Sequence, residues 1–197
     1  MSADAPIGRA VEVLRQYRHG LTTMRGGLTI SGGEPLMQRQ FVLKVFGEAK
    51  KLNIHTALDT NGYLGDRLSD EDLGHIDLVM LGLKAITPDL HQRLTGKDNQ
   101  PVHEFARRLA AKRRPVWIRF VIVPGWTDDL NEVGKMADFA ASLGNVERVD
   151  VLPFHQLGRF KWEKLGMEYQ LRDAQPPSKE KVEEVLARFR GVGLKVV

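Results

Sequence analysis

The sequence has 197 residues, of which 42% are hydrophobic and 27% charged, and its formal net charge is +4 at pH 7. This balance predicts one globular domain spanning 1–197, and neither a signal peptide nor an apolar run long enough to cross a membrane is visible, so we expect a cytoplasmic protein. The basic residues are dispersed, which argues against nucleic-acid binding. Cysteine is absent, which excludes disulfides, zinc–thiolate sites and thiolate ligands for an iron–sulfur cluster within this chain.

Helical and strand patterns alternate along the chain. Apolar residues at helical spacing, among them Ala10, Val13, Leu14 and Tyr17, predict a helix within residues 1–25. The predicted strands cover 28–31, 54–58, 76–83, 116–123 and 146–152, with a short final strand at 194–197. Helices are predicted through 41–50, 103–112, 133–143 and 178–189, and residues 158–177 are predicted to be irregular.

This alternation predicts an α/β fold with a parallel sheet and right-handed crossovers. Either an open doubly wound sheet or a full or partial (β/α) barrel satisfies the pattern. In both architectures, ligands bind where strands end and lead into helices.

Polar residues do follow the predicted strands. The first strand leads into Ser31, Gly32, Gly33 and Glu34, where adjacent glycines allow close backbone approach and a carboxylate suits a ligand ammonium group. An ordinary glycine turn explains the same residues. The second strand leads into Asp59, Thr60 and Asn61, which a self-bonded turn also explains.

Cationic and imidazole groups follow the later strands. Lys84 ends the third strand, where a lysine commonly extends its ammonium group to solvent. Arg119 lies within the fourth strand, where a carboxylate of the protein or an anionic ligand would pair with it. His155 follows the fifth strand, where a histidine either contacts a ligand or has a purely structural role. Together these groups predict a polar cofactor site at one end of a parallel sheet.

Five ordered segments resemble the pyruvate formate-lyase activating enzymes, which are radical S-adenosylmethionine enzymes: GGLTISGGEPL, IHTALDTNG, DLVMLGLK, VWIRFVIVPGWTDD and VDVLPFHQLGRFKWEKLG. The resemblance runs from about Gly26 to the end of the chain. It implies a partial (β/α) barrel, here without its first strand. It also implies a [4Fe–4S] cluster that reduces S-adenosylmethionine to a 5′-deoxyadenosyl radical, with electrons from flavodoxin or ferredoxin. The radical removes a hydrogen atom from a glycine of a glycyl radical enzyme such as pyruvate formate-lyase.

The resemblance also implies roles for individual residues. The motif from Ser31 to Glu34 receives the methionine amino group, and Asn61 belongs to the matching loop after the second strand. Lys84 binds the methionine carboxylate, and His155 lies near the adenosine. A monovalent cation beside that carboxylate is surrounded by Asp59, Thr60 and Met80. Partner contact is implied for Arg119 and for the loop that contains Pro124, Gly125 and Trp126.

Two departures from the family pattern bear on activity. The family's CxxxCxxC cluster loop is absent, so this chain alone is not expected to be catalytically competent. Gly82 stands where the family usually has an aspartate in LDLK, which removes a ligand of the expected cation.

Three hypotheses follow. The chain is a piece of a complete activase, or a cysteine-free relative that binds S-adenosylmethionine or a partner, or an unrelated barrel enzyme that uses Asp59, Lys84 and His155 in acid–base chemistry. A barrel that lacks its first strand would expose a sheet edge, so weak self-association is also expected.

Overall fold

The structure is a computed structural model that describes residues 4–197, and residues 1–3 of the predicted helical segment lie outside the described residues. Five parallel strands form one sheet in the order β1-β2-β3-β4-β5. The strands are β1 (Gly27–Ile30), β2 (His55–Thr60), β3 (Leu78–Gly82), β4 (Val116–Ile122) and β5 (Val146–Pro153). The helices are α1 (Asp4–Thr23), α2 (Arg39–Lys51), α3 (Pro88–Thr95), α4 (Gln100–Ala111), α5 (Leu130–Leu143), α6 (Arg159–Lys164) and α7 (Lys179–Gly191).

The predicted α/β class and all five main strands are confirmed. Two helices were not predicted: α3, and α6 within the segment predicted to be irregular. The apolar stripe predicted for α1 is partly wrong, because Val13 and Tyr17 are exposed whereas Val11 and Leu14 are buried. Within residues 4–197, no helix has the length and apolar character that a bilayer crossing requires.

The chain divides into two compact units, and the division falls within β4. The first unit contains the residues up to Gly82 together with Gln100–Trp117. Here Gly27 of β1 is in register with His55 of β2, and Asp59 of β2 is in register with Met80 of β3. Since neighbouring residues of β2 are both buried, this strand is covered on its two faces, as is usual in parallel sheets.

The core of the first unit includes a cluster in which α1 and α2 pack together. Leu14 of α1 contacts a set of buried residues at the end of α2 and in the following turn, namely Val45, Ala49 and Ile54. Side chains of β1 pack against this cluster from the sheet. The amphipathic pattern of α2 therefore fixes the helix against the strand that leads into the glycine-rich loop.

The second unit contains Leu83–Asn99 and Ile118–Val197. Phe120 of β4 and Phe189 of α7 are fully buried, and their ring centroids lie 6.0 Å apart. Ser178 caps α7 as predicted, because its hydroxyl accepts a hydrogen bond from the Lys181 N–H. Of the short strand predicted at 194–197, the structure has a single parallel bridge between Val149 and Val196.

A long excursion separates β5 from α7, and one side chain ties its ends. The Gln156 amide nitrogen donates to the carbonyl oxygens of Leu171 at 2.7 Å and Ala174 at 2.8 Å. Within the excursion, the rings of Trp162 and Tyr169 stack with centroids 5.5 Å apart. The segment is therefore held by its own contacts and by Gln156.

A half-buried ion pair links α2 to the turn before β3. The Lys50 ammonium lies 2.6 Å from Asp77 Oδ1, and Asp77 Oδ2 accepts a hydrogen bond from the Thr56 N–H at 2.9 Å. Burial alone would raise the pKa of Asp77, but Lys50 and Thr56 outweigh it, so the pKa of Asp77 lies below its ordinary value.

We expect this pair to make stability pH-dependent. A carboxyl with a lowered pKa in the folded state stabilises the fold above its unfolded pKa of about 3.9, and the contribution is lost as the pH falls through the folded value. Asp77→Asn should therefore lower the free energy of unfolding at pH 7, and the difference from wild type should shrink below about pH 4. Urea unfolding across this range measures it, and Lys50→Met should show the same trend. A constant difference at every pH would contradict the assignment.

Candidate functional site

The loop after β1 presents its backbone to solvent. Ser31, Gly32 and Gly33 are exposed, and Gly32 has a φ of +147°, which side-chain-bearing residues rarely adopt. A Cβ atom built on Gly32 or Gly33 would meet nothing within 4 Å. This loop therefore has the conformational freedom and the open space for a ligand to approach its peptide groups.

Glu34 joins this loop to the loop after β2. Its Oε1 atom accepts hydrogen bonds from the Thr60 hydroxyl at 2.7 Å and from the Leu36 N–H at 3.0 Å, and its Oε2 atom accepts from the Asn61 N–H at 2.9 Å. These bonds occupy three of the roughly four acceptor positions of a carboxylate. Glu34 thus fixes the two loops relative to each other, a role that sequence spacing did not predict.

The loop after β2 is also a self-bonded turn, the alternative that the sequence left open. The Thr60 hydroxyl accepts from the Gly62 N–H at 3.0 Å, and Asn61 Oδ1 accepts from the Tyr63 N–H at 2.9 Å. Gly62 has a φ of +77°, and an added Cβ would lie 2.6 Å from the Leu81 side chain. The backbone of Asn61 is therefore held from both sides, whereas its residue surface is exposed.

Two of the three residues expected around a cation lie side by side. Asp59 and Met80 are register partners in β2 and β3, and both are half-buried. The Thr60 hydroxyl is already engaged with Glu34 and Gly62. Among residues 4–197 there is no group of three His, Cys, Asp or Glu side chains that could hold a metal ion. The monovalent cation stays a prediction.

The loop after β3 carries Lys84, which is half-buried and interacts with another group of the protein. Two residues further on, the Ile86 and Thr87 N–H groups both donate to Oε1 of Glu132, at 2.6 Å and 2.9 Å. The Ile86 carbonyl accepts from the Asn99 side-chain amide at 2.7 Å. The backbone just beyond Lys84 is therefore held on both its donor and its acceptor side.

Glu132 is a buried carboxylate that the sequence did not single out. It is 7% exposed and lies in the first turn of α5, where the helix dipole stabilises negative charge. Asp129 and Glu132 have the spacing of a capping box, in which the glutamate bonds to the helix cap itself. Here Asp129 Oδ1 accepts from the Glu132 N–H at 2.9 Å, while the Glu132 carboxylate bonds to the Lys84 loop instead.

The loop between β4 and α5 is built by its own polar side chains. The Thr127 hydroxyl donates to the Val121 carbonyl and accepts from the Val123 N–H, both at 2.7 Å. Asp128 Oδ1 accepts from the Gly125 N–H at 2.8 Å, and Gly125 has a φ of +74°. The polar residues of this loop thus fix its shape, which leaves the ring of Trp126 as its large half-buried side chain.

Arg93 lies over that ring, and the sequence did not predict the contact. The guanidinium carbon is 5.2 Å from the centroid of Trp126, a distance suited to a cation–π interaction. Arg93 is in α3, a helix that was not predicted either. The residues expected to contact a partner therefore have a cationic neighbour on a separate element.

Arg119 and His155 occupy different surroundings. Arg119 is half-buried in a strand whose residues alternate between buried and half-buried, and it interacts with another group of the protein. His155 is exposed, and its Nδ1 accepts a hydrogen bond from the Leu157 N–H at 3.3 Å. An accepting Nδ1 in a neutral imidazole leaves Nε2 as the donor.

The structure thus brings together two groups of the predicted residues. In the first unit, Glu34 joins the glycine-rich loop to Thr60 and Asn61, next to Asp59 and Met80. Lys84, Arg119, Trp126 and His155 belong to the second unit. The convergence of all these groups on one ligand stays a prediction.

Comparison with known proteins adds independent findings. Residues 5–140 match the radical SAM superfamily. The chain is 45% identical over 183 residues to pyruvate formate-lyase 1-activating enzyme of Escherichia coli K12, covering 92% of this chain and 74% of the relative. It is 42% identical over 200 residues to pyruvate formate-lyase-activating enzyme of Staphylococcus aureus USA300, covering 98% of this chain and 78% of the relative.

The fold has a counterpart among solved structures. A domain of pyruvate-formate lyase-activating enzyme from Bacteroides vulgatus superposes with a TM-score of 0.70 at 25% identity, covering 87% of this chain and 98% of that domain. This likeness agrees with the predicted partial (β/α) barrel.

Proposed function

The chain belongs to the radical SAM superfamily and, within it, to the pyruvate formate-lyase activating enzymes, and from this membership we propose that it binds S-adenosylmethionine and serves the activation of a glycyl radical enzyme. The Escherichia coli relative is an activating enzyme of pyruvate formate-lyase 1. We propose a partner of the same class for this chain.

The observation that carries the proposal is the Glu34 clamp. Glu34 accepts hydrogen bonds from the Thr60 hydroxyl and the Asn61 N–H of the loop after β2 and from the Leu36 N–H, so it anchors the end of the glycine-rich loop, in which Ser31, Gly32 and Gly33 are exposed. The methionine ammonium group needs acceptors, and peptide carbonyls of such a loop supply them. The carboxylate of Glu34 contributes negative charge nearby while it fixes the loop.

The other groups have matching roles in the proposal. The ammonium of Lys84 binds the methionine carboxylate in a charge-assisted hydrogen bond. His155 offers its exposed Nε2 to the adenosine, and Asp59 with Met80 and Thr60 borders a monovalent cation. Arg119, Trp126 and the surrounding loop face the glycine-bearing segment of the partner.

S-adenosylmethionine supplies a 5′-deoxyadenosyl radical once it is reduced, and in the family a [4Fe–4S] cluster delivers the electron. The 197 residues include no cysteine, so they do not fit such a cluster as its thiolate ligands. We therefore derive no electron-transfer step from this chain. Flavodoxin or ferredoxin enters the proposal only as the donor to a complete enzyme.

A second candidate function is a non-catalytic module that binds S-adenosylmethionine or the partner. Gly82 favours it, because a glycine at the end of β3 supplies no carboxylate where the family usually has aspartate. A module that binds S-adenosylmethionine shares this binding step with the first candidate and differs in whether radical chemistry follows, whereas a module that binds the partner alone does not share it.

Calorimetric titration with S-adenosylmethionine tests the shared step. We expect binding by the wild-type protein and a dissociation constant raised about tenfold or more by Lys84→Ala, since a charge-assisted bond to the carboxylate is lost. Lys51→Ala, an exposed lysine at the end of α2, is the control and should bind like wild type. A folded wild-type protein that fails to bind at millimolar concentration would refute the proposal.

A further inference from the structure

We propose that Glu132 is a positioning residue that sets the location of the Lys84 ammonium for the carboxylate of an amino-acid ligand. The inference rests on the proposed function, because it assigns the supporting contact of the lysine in that site. No sequence motif indicates the role, and Glu132 lies 46 positions from Ile86.

The contact is short, buried and made by one oxygen atom. Oε1 of Glu132 accepts both the Ile86 N–H at 2.6 Å and the Thr87 N–H at 2.9 Å. With 7% of its surface exposed, the carboxylate is largely withdrawn from water. A buried carboxylate requires hydrogen-bond partners, and the peptide N–H groups of this loop provide them.

The contact with Glu132 affects Lys84 because it lies close to the lysine along the chain. Ile86 and Thr87 lie two and three residues beyond Lys84, so the backbone from which the lysine extends cannot shift without losing bonds to Glu132. The Asn99 amide, which is 3% exposed, fixes the Ile86 carbonyl from the other side at 2.7 Å. A long lysine side chain holds its ammonium group in one position only if the backbone that carries it is fixed.

Glu132 also connects this loop to the loop expected to contact the partner. Its N–H is bonded to Asp129, the cap of α5 and the last residue of the loop that begins at Pro124. The same residue therefore joins the backbone near Lys84 to the start of α5.

The test uses two ligands that differ in the carboxylate alone: S-adenosylmethionine and its decarboxylated analogue. Glu132→Ala should weaken S-adenosylmethionine binding about tenfold and leave binding of the analogue nearly unchanged. Glu132→Gln should restore most of the affinity, because its amide oxygen can accept both N–H groups. In a Lys84→Ala background, Glu132→Ala should have no further effect.

A second readout does not depend on any ligand. Amide hydrogen exchange at Ile86 and Thr87 should accelerate in Glu132→Ala and stay slow in Glu132→Gln. Glu132→Asp keeps the charge, but its side chain is one methylene shorter, so its oxygen should not reach the two N–H groups and exchange should accelerate as in the alanine variant. This variant replaces Glu132→Ala in the experiment if the alanine variant fails to fold. Asn131→Ala, at the exposed neighbouring position, should match wild type.

The outcomes separate the inference from the proposed function. Equal weakening for both ligands, or an unchanged affinity for S-adenosylmethionine, would overturn the positioning role. If the wild-type protein binds neither ligand, the proposed function fails, and the exchange experiment alone decides on the contact: unchanged exchange at Ile86 and Thr87 in Glu132→Asp would overturn it.

Discussion

Glu34→Ala is expected to abolish measurable binding of S-adenosylmethionine and to lower the free energy of unfolding by about 2–4 kcal/mol. The variant removes the acceptor of three hydrogen bonds, so the Thr60 hydroxyl and the N–H groups of Leu36 and Asn61 lose their partner. The glycine-rich loop is then no longer held against the loop after β2. Both consequences come from one contact, but different experiments measure them.

Urea unfolding and calorimetric titration of the same preparations give the two quantities. Glu34→Gln should lie between wild type and alanine, because a side-chain amide has one acceptor oxygen and its NH2 group opposes a peptide N–H. Met37→Ala is the matched control and should change neither quantity, because Met37 is 68% exposed and lies in the short 3-10 helix Pro35–Gln38 that Glu34 caps. If Glu34→Ala lost stability but bound the ligand like wild type, Glu34 would have a structural role alone.

Gly65→Ala is expected to lower the free energy of unfolding by about 1–3 kcal/mol. An added Cβ would lie 2.2 Å from Cγ and 2.4 Å from Cδ2 of Phe105, a ring that is 3% exposed. The ring belongs to α4 and cannot move away without disturbing its buried neighbours. The new methyl group therefore forces a shift either of α4 or of the short 3-10 turn Gly65–Arg67 that begins at Gly65.

Gly47→Ala, in the same unit, is expected to stabilise the fold. Gly47 lies inside α2, and an added Cβ meets nothing within 4 Å, so the helix should gain about 0.5–1 kcal/mol. Thermal and urea unfolding of the two variants measure both changes. Phe105→Leu should suppress part of the Gly65→Ala effect, since the two sites are in contact. If Gly65→Ala were as stable as wild type, the added methyl group would not clash with Phe105, and the prediction would be wrong.

The sequence predicted the fold well where periodicity carried the information. The strands were visible as apolar runs and α5 as a stripe of apolar residues, because each pattern is local. Short elements were missed for the same reason: α3 has eight residues, and its buried side chains include a histidine, so no apolar stripe marks it. The stripe of α1 was predicted correctly at Ala10 and Leu14 and wrongly at Val13 and Tyr17, because spacing alone does not say which side of a polar helix meets the core.

The candidate site shows a similar limit. Strand ends could be located, and with them Ser31, Asp59, Lys84 and His155, since parallel sheets bind ligands there. The contacts that fix those loops could not be predicted, because Glu34 and Glu132 reach partners 26 to 46 positions away along the chain. The sequence placed Glu34 directly after the glycine pair and did not single out Glu132. Only the tertiary structure identifies their partners.

The excursion that Gln156 closes has a consequence for how such proteins diversify. Because it leaves and returns at one side chain, its length can change between Met167 and Leu171, beyond the last of the five segments that resemble the family, without altering the register of the strands. Leu157, Leu165 and Met167 are each more than half exposed on it. Natural variation, or a deliberate graft, can therefore reshape this surface and leave the loops that Glu34 and Glu132 hold untouched.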